Sequence, residues 1–189
     1  MNNAIRKIII ILISGIFLPC LLFSQLDKKE KKFLVFAADG DSSKVEKYLQ
    51  KGIPVNTKNR SKWTALAYAS KYGHLGTVKV LIHNGADIDM AVNIGSTPLH
   101  LALNNKHYQL AEYLILKGAS VNLSDLTGMT PLAWAAKQGD IRAVKLLVNH
   151  GADVNSKNVS SRTVLDNATN EQVKKYLKSK GAKTSNGLM

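Results

Sequence analysis

Gly95-Ser96-Thr97-Pro98-Leu99-His100-Leu101-Ala102 is the stretch from which the fold can be read. Its Thr-Pro pair is a helix start: the Thr hydroxyl can cap, and proline's missing N–H costs nothing at the first helical position. The same register returns at Thr64, Thr130 and Thr163, each 33 residues from its neighbour. Gly52, Gly85, Gly118 and Gly151 keep the same interval. A fixed period of this length identifies a repeat architecture.

The three fullest units are 61–93, 94–126 and 127–159. In the third, Thr130 and Pro131 open a helix that continues through Leu132, Ala135 and Ala136; Gly139-Asp140 breaks it. A second helix presents Val144, Leu147 and Val148 before Gly151 ends it. Two short antiparallel helices per unit follow from this pattern. Ala69, Ala102 and Ala135 occupy equivalent places in the first helix, where a small side chain lets neighbouring units approach closely. One unit cannot bury its apolar face alone, so the units must stack as a solenoid. Segments such as Gly151-Ala152-Asp153-Val154-Asn155 are short, polar and turn-rich, and each is expected to be an extended finger leading into the next repeat.

The chain here resembles the ankyrin repeat family, whose 33-residue unit carries a T-P-L-H-x-A core. Thr97 to Ala102 match that core in full; Thr130 to Ala135 match except for Ala133, and Thr64 to Ala69 depart twice. The resemblance covers roughly residues 33–183 and implies an all-α repeat fold. The expectation is an ankyrin solenoid of paired short antiparallel helices with hairpin-like fingers, about five units including two caps. The expected division is an N-cap repeat at 33–60, the three full units, a C-cap repeat at 160–183 and a tail at 184–189. Residues 25–32 are expected to be a basic linker. In the last unit, Gly181-Ala182 arrives three residues early, which is assigned to a shortened turn between its helices.

The first 24 residues differ in composition. Arg6 and Lys7 precede an apolar run from Ile8 to Phe23, shorter than the roughly 20 residues that span a bilayer comfortably. This pattern is that of a signal peptide, with cleavage expected after Ser24 and an exported, periplasmic or secreted product. The alternatives are an uncleaved membrane anchor and a lipid on Cys20, the only cysteine, in the weakly fitting Leu18-Pro19-Cys20. Loss of this segment leaves no thiol for a disulfide, a thiolate metal site or a nucleophile.

The formal charge is +13, with 26 basic and 13 acidic residues spread along the chain. Such a field favours acidic partners. Nucleic acid is disfavoured by export and by the scarcity of aromatics among the lysines. Five histidines are present, but none forms an H-x-x-x-H pair, and no phosphate loop, nucleophile elbow or zinc spacing occurs. His100 is expected to tie the turn to the neighbouring Thr, and His83 and His150 to lie near the ends of second helices. No cofactor, metal or catalytic residue is assigned, and the chain is read as a monomeric binding protein, not an enzyme.

Stacks of this family commonly bind through finger tips and exposed first-helix residues along a concave face. Carried over position by position, the resemblance implies Arg60, Trp63, Lys71 and Tyr72, then Ile94, Asn104 and Asn105. The next unit adds Leu126, Met129, Lys137 and Gln138, and the last finger adds Arg162. Exposed aromatic and Arg side chains suit a protein partner, an acidic protein being the charge match. Trp63 is either an anchor or a residue packed against its own finger. Trp134 is expected to fill an interface within the stack. An anionic polymer or membrane surface is the alternative target.

Overall fold

The structure, a computed structural model, describes residues 26–188. The expected signal peptide, with Cys20, lies outside the described residues. Among the described residues, ten α-helices alternate in two layers. The first helices of the units are α1 (Lys28–Asp39), α3 (Ala65–Tyr72), α5 (Pro98–Asn104), α7 (Pro131–Gln138) and α9 (Val164–Asn167). The second helices are α2 (Ser42–Gln50), α4 (Leu75–His83), α6 (Tyr108–Leu116), α8 (Ile141–Asn149) and α10 (Glu171–Ser179). A 3₁₀ turn, Ser185–Leu188, ends the described chain.

All four threonines act as the sequence requires. Thr64, Thr97, Thr130 and Thr163 each accept at the side-chain oxygen from the backbone N–H three residues on, at 3.1–3.5 Å. Leu66, Leu99 and Leu132 follow into a continuous core with Val78, Leu81, Leu114, Val144 and Leu147. Ala69, Ala102 and Ala135 are buried between units, so the first helices pack closely along the stack. The second helices of successive units touch less extensively.

Two histidines that sequence reasoning did not connect also join the units. His74 Nε2 meets the Ala38 carbonyl at 2.9 Å, and His107 Nε2, one period later, meets the Lys71 carbonyl at 3.1 Å. These rings dictate the residue opposite them. A Cβ at Gly40 or Gly73 would lie 2.6 Å from the ring of His74 or His107, and both glycines have positive φ. The equivalent position in the next unit is Lys106, at φ 61°, and the residue facing it in register is the shorter Asp140. A side chain is tolerated there at the conformational cost of a left-handed backbone.

The ends depart from expectation. Residues 28–32, expected within a linker, are the first turns of α1. Asp27 caps that helix, and the Glu30 side chain accepts from the Asp27 N–H in a capping box. In the last unit it is the first helix that is short: α9 has four residues where α7 has eight. The chain leaves α9 at Ala168, and Thr169 turns back to the end of α7, its hydroxyl donating to the Lys137 carbonyl at 3.0 Å. The expected tail is also engaged, with Ser185 N–H donating to Asp166 at 2.9 Å.

Candidate binding surface

Four fingers connect the units, and each is closed by the same backbone bond across its hairpin. The donors are the N–H groups of Asn59, Val92, Asp125 and Asn158, and the acceptors the carbonyls of Trp63, Ser96, Met129 and Arg162, at 3.0–3.1 Å. The fingers also bond to one another. Asn93 N–H donates to Ser61 O, Leu126 N–H to Ile94 O, and Val159 N–H to Thr127 O, at 3.1–3.3 Å. Gly95 and Gly128 make this approach possible, since a Cβ there would stand 2.6–2.7 Å from the next finger's backbone nitrogen.

A polar side chain holds three of the four fingers from within. Asn59 accepts from the N–H groups of Ser61 and Trp63 and donates to the Tyr68 hydroxyl at 2.9 Å. Asn158 accepts equivalently from Ser160 and Arg162. In the third unit Asp125 is buried and accepts from Thr127 N–H and hydroxyl, Met129 N–H, and Trp134 Nε1 at 2.7 Å. Burial raises the Asp125 carboxyl, but the Thr127 and Trp134 bonds outweigh it and hold the group below the usual carboxylate range. The remaining finger replaces this polar pair by Val92 and Leu101, which pack together. Asn59 with Tyr68, Val92 with Leu101, and Asp125 with Trp134 are matched pairs at one place in the repeat. Their nine-residue separation, repeated at the 33-residue period, was the signal in the sequence.

The finger tips leave aliphatic side chains in water. Ile94 is 57% exposed, and Leu126 and Val159 are each 74% exposed. The backbone bonds between successive fingers set these residues in one row. On the first helices, Tyr72 is 48% exposed, and Lys71 lies over both Trp63 and Tyr72, 5.2 and 5.3 Å from the ring centroids. Arg60, Arg162, Asn105, Lys137 and Gln138 are exposed; Lys137 stacks over Trp134 at 4.8 Å. Asn104 is half-buried and accepts from Gln138 at 3.0 Å, joining two units.

Two expected surface residues sit differently. Met129 is only 4% exposed, a correction to its assignment as a contact residue. Its side chain turns into the core, and its carbonyl takes both the hairpin bond and His100 Nε2 at 3.2 Å. Trp63 is half-buried: it stacks on Tyr68, with centroids 4.9 Å apart, and packs on Ala67, Val92 and Leu101. Packing therefore accounts for much of Trp63, and Tyr72 is the more open aromatic. Trp134 is half-buried against the core, with Nε1 on Asp125 and Lys137 over its ring.

His100 is the expected tie. Thr97 N–H donates to its Nδ1 at 3.2 Å, so Nε2 carries the proton given to Met129. Burial pushes this imidazole below its ordinary value. His150 Nδ1 meets Leu146 O at 2.8 Å and His83 is exposed at the end of α4. Among the described residues no group of three or more His, Cys, Asp or Glu could hold a metal ion, and no helix is long and apolar enough to cross a membrane.

The paired helices, Thr-Pro starts and bonded fingers define a helical solenoid of short repeats. A sequence profile of ankyrin repeats (three copies) matches residues 8–92, 33–125 and 99–186, and the chain belongs to the ankyrin repeat family. It is 35% identical over 75 residues to the ankyrin repeat protein FPV222 of fowlpox virus, covering 40% of this chain and 10% of that protein. It is 35% identical over 65 residues to ankyrin repeat-containing protein P1E11.10 of Schizosaccharomyces pombe, covering 34% of this chain and 31% of the other. Mouse ankyrin repeat domain-containing protein 40 is 34% identical over 81 residues, covering 42% and 22% respectively. The chain thus spans less than a third of each of these relatives. Ankyrin repeats generally mediate protein–protein interaction.

Proposed function

We propose that the protein is an exported interaction module that binds a partner protein through the face formed by its fingers and first helices, acting by occlusion or scaffolding without turnover. The observation that carries this reading is the set Ile94, Leu126 and Val159, exposed on bonded fingers, with Tyr72 exposed on a first helix. Clustered exposed apolar side chains of this kind mark interaction sites, and a rim of Arg60, Lys71, Lys137 and Arg162 adds selectivity for an acidic surface. Export rests on the Arg6-Lys7 pair followed by the apolar run to Phe23. A monomer that has to leave this face open for its partner fits the same reading.

The net charge supports a second reading, binding to an anionic polymer or membrane surface. Capture from the exported fraction with wild type and with Tyr72→Ala/Ile94→Asp/Leu126→Asp separates the two. Loss of a protein partner in the variant, with capture that persists as salt rises from about 50 to 200 mM, supports the concave face. A polyanion complex would instead weaken by orders of magnitude over that range. Equal recovery of the same partner by the variant refutes the face assignment. An N-terminus at Gln25 in the exported protein supports cleavage, and an intact Met1 contradicts it.

A further inference from the structure

The second helices carry a charge pattern that the finger face does not explain. Counted back from the glycine that follows each second helix, the same three places form one arrangement at two joints of the stack. At the joint of α4 and α6, Lys79 of the earlier helix and Lys117 at the end of the later one both lie over Tyr113, 5.7 and 5.8 Å from its ring centroid. At the joint of α8 and α10, Lys145 and Lys180 lie over Tyr176 in the same way, at 5.9 and 5.6 Å. All four lysines are exposed, and among the described residues none of them is in an ion pair. Both tyrosines are half-buried and packed on the core, so each ring holds two ammonium groups from a fixed base. The other two joints lack the arrangement: the same places hold Glu46, Val80 and Asn84 in one, and Glu112, Leu146 and His150 in the other. Two lysine clamps therefore stand two helices apart, about 16–20 Å at ordinary helix spacing, with Glu112 on the helix of the first.

We propose that this face binds a linear anionic polysaccharide that bridges the two clamps. The proposal rests on the second, charge-driven reading above and gives it a place and a polymer class, separate from the finger face. Two ammonium groups drawn to one ring repel each other, and an anion seated between them turns that repulsion into attraction. Lysine is a compact point charge on a flexible stem, suited to anionic groups along a polymer rather than to one bidentate contact. The rings are half-buried and already engaged by their lysines, so they are not platforms for stacking bases. Leu116 is exposed beside the first clamp, but its counterpart beside the second is Ser179, so the face has no apolar strip to lay into a bilayer. The same lack of an apolar centre disfavours a protein, whereas a hydrophilic chain that carries its own charges needs none.

The test is titration of the full chain with size-defined heparin oligosaccharides, shorter and longer than about 20 Å. The longer ones reach both clamps and are expected to bind about tenfold or more tightly than the shorter. Lys79→Gln/Lys117→Gln, or Lys145→Gln/Lys180→Gln, is expected to bring the long oligosaccharide down to the short one's level. Lys58→Gln/Lys157→Gln removes the same charge from exposed finger lysines and is expected to leave binding within about twofold. The finger-face variant Tyr72→Ala/Ile94→Asp/Leu126→Asp is expected to bind the oligosaccharide as wild type does. No binding, or no gain with length, overturns the proposal. Equal loss with the finger lysines overturns the clamps and leaves the general charge reading standing. Loss with the finger-face variant overturns the separate face. Tighter binding of single-stranded DNA of the same span, or clamp-dependent binding to anionic vesicles without binding to oligosaccharide, overturns the polymer assignment.

Discussion

Replacing Asp125 with Asn separates the roles of charge and shape inside a finger. The amide keeps one oxygen for Thr127 N–H and Met129 N–H, which now meet Asp125 at 2.8 and 3.1 Å, as Asn59 and Asn158 do in their own fingers. Its NH₂ then faces Trp134 Nε1, donor against donor, in place of a 2.7 Å bond. Losing a charge-assisted bond and leaving a donor unpaired costs about 2 kcal/mol. For a domain of this size that lowers Tm by about 4–8 °C. Trp134→Tyr alone still offers a hydroxyl to the carboxylate and costs about 1 kcal/mol in lost packing. The double variant recreates the Asn59–Tyr68 arrangement, in which the amide donates to the hydroxyl at 2.9 Å. Urea denaturation followed by circular dichroism is expected to place the double variant within about 1 kcal/mol of wild type, a coupling of about 2 kcal/mol. A cost for Asp125→Asn below about 0.5 kcal/mol, or double-variant losses that simply add, would refute the matched-pair reasoning.

Two further outcomes follow from the joints between units. His100 has its proton affinity pushed down by burial, so the unfolded chain binds more protons below the ordinary value of 6.5. Its contribution to stability is complete above that value, falls as the pH drops below it, and levels off beneath the depressed folded value. Urea midpoints between about pH 7.5 and 5 should fall for wild type and lose that component in His100→Gln. Asp125, whose carboxyl is held low, adds a separate loss that begins only as the pH falls below 3.8. Lys106→Gly should raise stability by about 1 kcal/mol by relieving its left-handed backbone, whereas Gly73→Ala, facing the His107 ring, should cost about 2 kcal/mol or more. Thermal melts of the two variants check both signs.

What the sequence made legible was whatever repeats with the period. The four Thr caps, the helix pairs and the alanine contacts all recur at 33 residues, and each is a local choice that the stack reinforces. The exposed Ile94 and Leu126 were legible for the same reason, because scaffold positions recur and tip positions vary. Met129 was misread because it sits beside exposed residues in a hairpin whose side chains alternate in direction, and the register alone does not say which way each points. The start of α1 was written in Asp27 and Glu30 at capping-box spacing, but the run of lysines around them has the composition of a linker. The short α9 escaped because Gly181 reports that residues are missing between two landmarks without reporting which element lost them.

The central claim is that the finger and first-helix face meets a protein partner. A photo-crosslinking residue placed at Tyr72 or Leu126 on that face, or at exposed Leu116 or Lys145 on the second helices, tests it directly in cells that produce the chain. Protein adducts from the first pair and none from the second are the predicted result. Adducts confined to Leu116 and Lys145, or absent from all four positions, would contradict it.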